Sequence, residues 1–270
     1  MSYPIRALSF TEILDVSFKV LRDSFLPLVA IGSVFYVPFQ ILMNSGDPFL
    51  VLAGFGYAAV IQAPVFLMLN LAIAHRYLGH GPQPFVSLVR EMLSLVLPFL
   101  GTLLVFLVLW MLLFALASGL AVLVSLPLPP AARVIFLVLG VMAASVVLIV
   151  ESILISPIVV IERIYVLRAI KRARELRRGF WWRTVGIWIC TTIVVVLLTQ
   201  GPVLVLRYVP WVGSVLSGVI GGASLAFTVI VSQLMYFDLR CRKENLDLML
   251  LSAKVQASTL GTEGTATAPS

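Results

Sequence analysis

Arg163-Ile164-Tyr165-Val166-Leu167-Arg168-Ala169-Ile170-Lys171-Arg172-Ala173-Arg174-Glu175-Leu176-Arg177-Arg178-Gly179-Phe180-Trp181-Trp182-Arg183 stands between two long apolar runs, residues 134–161 and 184–206. It carries eight of the chain's 19 Lys and Arg residues. A hydrocarbon core of ~30 Å demands about 20 consecutive apolar residues of a helix, and Lys and Arg accumulate in loops that stay in the cytoplasm. The stretch therefore reads as a cytoplasmic loop between two membrane spans.

Outward from that loop the same rule finds four more runs, at about 25–43, 50–74, 95–126 and 212–237, for six in all. The composition agrees: 61% of the 270 residues are hydrophobic and 11% charged, against roughly 45–50% and 25% in soluble domains. With a mean hydropathy of +1.09, a soluble enzyme is excluded. The runs 95–126 and 134–161 exceed what the bilayer requires, so tilt, a kink or projection is expected, with Pro157 and Pro129-Pro130 as punctuation. No signal peptide is expected, because the residues before the first run are polar or amphipathic.

The cations set the orientation. Arg6, Lys19 and Arg22 precede the first run, Arg76 and Arg90 follow the second, and Arg240, Arg242, Lys243 and Lys254 follow the sixth. With the eight of 163–183, 17 of the 19 fall on one side, leaving Arg133 and Arg207 on the other. This asymmetry predicts six spans with both termini cytoplasmic, in a bacterial inner membrane. An odd number would split the cluster.

Three segments carry helical amphipathic patterns. In residues 8–23, Phe10, Ile13, Leu14, Ser17 and Leu21 share a face opposite Glu12, Asp15, Lys19 and Arg22. In 163–183, Val166, Ala169, Ile170, Ala173, Leu176 and Phe180 form the apolar stripe, and Phe85, Leu88, Val89 and Met92 form a shorter one before the third run. The expected fold is all-α: one polytopic domain, residues 1–257, of six transmembrane helices with interfacial amphipathic helices before spans one, three and five. A helical extension over 238–257 is expected from the i,i+4 pairs Asp238/Arg242, Arg240/Glu244 and Lys243/Asp247. The polar tail 258–270 reads as disordered.

Several short runs resemble a known family. Val159-Val160-Ile161-Glu162, Ala169-Ile170-Lys171-Arg172-Ala173, Arg178-Gly179-Phe180-Trp181-Trp182-Arg183-Thr184-Val185-Gly186 and Tyr236-Phe237-Asp238-Leu239-Arg240-Cys241-Arg242-Lys243-Glu244 are similar to the bacterial glycerophosphoryl diester phosphodiesterase membrane-domain family. The start, Leu8-Ser9-Phe10-Thr11-Glu12-Ile13-Leu14-Asp15, fits the same pattern. The resemblance implies a membrane module connected with membrane or lipid assemblies. It supplies no catalytic residue, because the metal-binding phosphodiesterase barrel has no room outside the spans.

Glu151 is the sharpest candidate. Counted back from residue 161 it lies about 16 Å inside the span, near the bilayer centre, where a charged carboxylate is costly. It either lines a polar path with Gln62 and Asn70 or is a neutral side chain satisfied by them or by a carbonyl freed near Pro157. Arg168, Lys171, Arg172, Arg174 and Arg178 are candidate contacts for anionic phospholipid headgroups. Ser214, Gly218 and Gly222, with Ser217, Gly221 and Ser224, offer a helix-packing surface, for use within the chain or in a dimer. His75 and His80 are too few for a metal site, Cys190 and Cys241 are badly placed for a disulfide, and no cofactor motif occurs. The cations follow the membrane boundary, which argues against nucleic acid.

Three functions remain open. The leading expectation is a non-enzymatic scaffold or accessory module of a membrane or lipid-handling assembly, with the bilayer and possible membrane-protein partners. A transporter or channel component with a path at Glu151 is the second, and a membrane-embedded lipid-headgroup enzyme the third.

Overall fold

Ser9 begins the first helix, α1 (Phe10–Asp23), with a capping box: its hydroxyl accepts the Glu12 N–H while the Glu12 carboxylate accepts the Ser9 N–H at 2.6 Å. In the computed structural model, which describes residues 6–78, 83–125, 129–206, 210–249 and 252, α1 buries Ile13, Ser17 and Val20 and lies against the last helix. Its apolar face is covered by protein. Only Ser24 separates α1 from α2 (Phe25–Met43), and Asp47 caps α3 (Pro48–Tyr77), accepting the Phe49 N–H at 2.9 Å ahead of a Pro at the first helical position.

The fourth helix, α4 (Phe85–Ser125), has 41 residues, about 60 Å at helical rise and twice the thickness of a hydrocarbon core. The amphipathic segment expected before span three is thus helical, but it runs unbroken into the span. It returns through α5 (Pro130–Ser152), 23 residues long. Small residues let the two approach, a Cβ on Gly140 meeting Ala121 at 4.0 Å. Elsewhere the hairpin is uncovered, with Leu112, Leu116, Leu120, Leu139 and Met142 all exposed, as lipid-facing side chains are.

After Ser152 the chain does not continue as a regular span. Residues 153–154 turn, α6 (Ile155–Pro157) is three residues long, and Ile158–Glu162 form a π-helical turn. Residues 154–160 are all buried. The basic segment then forms α7 (Val166–Arg177), followed by α8 (Trp181–Leu206) and α9 (Pro210–Glu244).

Among the described residues, six helical stretches are long and apolar enough to cross a membrane. The last is the hub, 61% buried across its apolar window where the α4 and α5 stretches reach only 11%. It packs most closely on α2, because Gly218 and Gly222 bring the backbones together: a Cβ on Gly218 would lie 2.5 Å from Val37 Cα, and one on Gly222 2.6 Å from the Ser33 nitrogen. Ser214 of the same surface accepts from the Asn44 amide at 3.2 Å. These small residues therefore serve packing within the chain. Beyond Glu244, Asn245 adopts a left-handed conformation (φ 50°) and a helical turn resumes at 246–249. The expected extension is thus broken, and its end, with the tail 258–270, lies outside the described residues.

Candidate functional site: a charged layer at the basic end

Where α1, α7 and the ends of α5 and α9 meet, carboxylates and guanidiniums form four groups. The first is centred on Asp238 of α9, which has no exposed surface. Asp238 accepts the Leu8 N–H at 2.8 Å, Arg183 at 3.1 Å and Arg242 at 3.0 Å. Arg183 and Arg242 also donate to the Leu8 carbonyl, at 2.7 and 2.6 Å. Leu8, ahead of α1, is thus held by both its N–H and its carbonyl.

The second group lies at the end of the π-helical turn. Glu162 accepts from Arg172 at 2.8 Å and from the Tyr236 hydroxyl at 2.8 Å. Glu244 accepts from Arg240 at 2.9 Å and is 2.5 Å from Arg172. Burial works to lower the Arg172 pKa, but hydrogen bonds and charge from Glu162 and Glu244 outweigh it and hold the guanidinium above its usual range. Of the three expected i,i+4 pairs, Asp238/Arg242 and Arg240/Glu244 form, whereas Lys243 donates instead to the Glu175 carbonyl at 2.5 Å. The third group is Glu91 of α4, 2.9 Å from His75 and paired with Arg163.

Glu151 belongs to the fourth group. It is the penultimate residue of α5, because the helix stops at Ser152 and not near residue 161. It lies just before the break inside the apolar stretch Ala131–Glu162, and α7 reaches it there. Its partners are Arg177, whose side chain is only 3% exposed and which also donates to the Val150 carbonyl at 2.9 Å, and Arg174 at 3.9 Å. Gln62 and Asn70, grouped with it in the sequence, are elsewhere. Asn70 donates to the Phe66 carbonyl at 2.8 Å and accepts from Gln233 of α9 at 3.0 Å, while Gln62 lines an open crevice between α3 and α4.

The candidate headgroup contacts divide in the same way. Arg168, Lys171, Arg174 and Arg178 are exposed, with Lys171 showing 80% of its side chain. Arg172 faces inward, bound to Glu162 and Glu244. Arg177, the buried partner of Glu151, carries a register signal: it is four residues after Ala173 and seven after Ile170, on the buried face of α7. Gln233, wholly buried in α9, carries only its polarity as a signal. Cys190 and Cys241 are free thiols, and His80 lies outside the described residues. Among the described residues no three His, Cys, Asp or Glu side chains gather as a metal site would need.

This geometry defines an all-helical, multi-pass membrane protein whose charged side chains tie the helix ends together. No family description, curated protein or solved structure was found to match the chain.

Proposed function

We propose that the chain is a non-enzymatic scaffold or accessory module of a lipid-handling assembly in the bacterial inner membrane, with both termini cytoplasmic. The observation that carries this reading is the pairing of Glu151 with Arg177 at the α5–α7 contact. A proton or cation path needs an ionisable group that faces water and exchanges partners. Acid–base chemistry needs a carboxylate within reach of substrate. Here Glu151, Glu162 and Asp238 are each engaged by arginines of the same chain.

The orientation rests on the 17-to-2 division of the cations. The exposed Arg168, Lys171, Arg174 and Arg178 suit anionic headgroups, each contributing about 1 kcal/mol near a charged surface. The resemblance to the phosphodiesterase membrane-domain family supports a membrane module without its catalytic barrel. The test is proteoliposome flux read with a pH-sensitive dye, together with lipid retention by native mass spectrometry. The reading expects no flux above empty vesicles and retained anionic phospholipid. A proton or cation flux abolished by Glu151→Gln would replace it with the transporter reading.

A further inference from the structure

Two crevices meet at Ser152 on the flank of the α4–α5 hairpin, and we propose that together they form a binding furrow for one anionic phospholipid. The first, about 370 Å³, is bounded by Gln62 of α3, Phe99 and Leu103 of α4, and Ser152 and Ser156 around the helix break. The second, about 350 Å³, continues past Phe106 and Trp110 of α4 and Leu148 of α5. Phe99, Leu103, Phe106 and Trp110 are spaced four, three and four apart, so they form one stripe along α4. At helical rise that stripe is about 16 Å long.

The furrow changes character along its length. Gln62, Ser152 and Ser156 gather at one end, whereas the other is walled by Phe106, Leu107, Trp110, Leu148 and Ile149 with Ser145. Ser152 and Ser145 return their hydroxyls to their own helix, at 2.8 Å to the Ile149 and Val141 carbonyls. The Ser156 hydroxyl and the amide of Gln62, an exposed residue, in contrast, find no hydrogen-bond partner among the described residues, although Ser156 is only 4% exposed. Buried polar groups are ordinarily matched, so the unmatched hydroxyl of Ser156, with the open Gln62 amide facing the same crevice, points to an acceptor or donor carried by a ligand.

The polar end also adjoins the cationic helix. Thr102, beside Leu103, accepts the N–H of Val166, the first residue of α7, at 2.8 Å. Glu151, beside Ser152, is bound by Arg177 and Arg174 near the other end of α7. Of the exposed cations of α7, Arg174 reaches Glu151, next in sequence to Ser152, so a ligand seated here has a cation near its polar end, then two hydrogen-bonding groups without partners, then an apolar trough. Phosphate, glycerol esters and acyl chain follow one another in that order in a phospholipid. The inference rests on the lipid-handling reading above and gives it a location.

The test uses the full-length protein in nanodiscs of phosphatidylglycerol or phosphatidylcholine, with retained lipid counted by native mass spectrometry after release. Phosphatidylglycerol is expected to remain bound and phosphatidylcholine to be lost. Ala59→Trp, which fills the first crevice, and Gln62→Leu with Ser156→Ala, which removes the unmatched groups, are expected to lower retention about tenfold, equivalent to one or two lost hydrogen bonds. Equal retention of the two lipids, or no effect of either variant, overturns the proposal. So does a dimer that Ala59→Trp dissociates, because the occupant is then a second copy. If those variants fail to insert, wild-type protein decides. Trp110 fluorescence, isolated by subtracting Trp110→Phe, is expected to be quenched more by phosphatidylglycerol brominated on its chains than by the phosphatidylcholine analogue at the same low mole fraction. Equal quenching rejects the furrow. Loss of retention in Arg168→Glu/Lys171→Glu with none in Ala59→Trp also rejects the furrow while leaving the lipid-handling reading intact, whereas Glu151-dependent flux removes that reading itself.

Discussion

Asp238 accepts the Leu8 amide at 2.8 Å across 230 positions of sequence, and so joins the segment entering α1 to the end of the hub helix. With Arg183 and Arg242 on the same carboxylate, its loss leaves the Leu8 amide without an acceptor and two guanidiniums without their counter-ion, held only by the Leu8 carbonyl. Removing one partner of a buried ion pair costs about 3–5 kcal/mol. Asp238→Ala is expected to lose that much in detergent unfolding and to expose α1 to protease. Asp238→Asn keeps an acceptor for the Leu8 N–H and is expected to lose less. If Asp238→Ala unfolds like wild type, the tie contributes nothing.

The Glu151–Arg177 pair predicts a non-additive result. Arg177→Met leaves a carboxylate without its main partner, and Glu151→Gln leaves a buried guanidinium without its counter-ion, held by neutral acceptors only. Each single change is expected to destabilise, and the double variant to recover part of the loss. A coupling of about 0.5–3 kcal/mol is the range for residues in direct contact. Strict additivity in a thermal-shift cycle would show that the two side chains act independently.

The apolar runs made the six crossing helices legible, since length and hydropathy are local properties. The break after Glu151 was not, because it falls at Ile153-Leu154, a dipeptide without Gly or Pro in a run that stays apolar to Ile161. Counting residues assumed a helix that tertiary contacts had ended. Arg177 was hidden by the reverse conflict, its charge pointing outward and its register inward. Asn70 with Gln233 illustrates a third limit: each polar side chain is visible alone, but their pairing belongs to the crossing of α3 and α9. By contrast, the small-residue surface of α9 was readable, because close helix approach leaves a compositional trace.

Acid is expected to loosen α1 first. The Arg6 hydrogen bond, then bonds from the Ser9 amide and hydroxyl, lower the Glu12 pKa to about 2. A depressed carboxylate pKa stabilises the folded form fully above the ordinary value near 4.5, and the contribution disappears as pH falls through about 2. Protease protection of α1 in wild type is expected to decline over that window. Glu12→Gln is expected to be less protected at neutral pH and to converge with wild type at the acid end. Parallel profiles for the two proteins would rule out Glu12 as the source.

The α2–α9 seam supplies a contrast between glycines of one protein. A Cβ on Gly218 falls 2.5 Å from Val37 Cα and 2.9 Å from its nitrogen, and neither is a flexible side chain that can swing away. Gly218→Ala therefore forces the two helices apart, an overpacking expected to cost about 1–3 kcal/mol. Gly119, in the exposed hairpin, has nothing within 4 Å of the same added atom. There Ala removes only backbone freedom, and Gly119→Ala is expected to be neutral or to stabilise by about 0.5–1 kcal/mol. Because the added group is one methyl in both variants, opposite shifts in detergent unfolding isolate helix approach from hydropathy. Equal shifts would mean that α2 and α9 are not in the close contact that Gly32, Gly218 and Gly222 create.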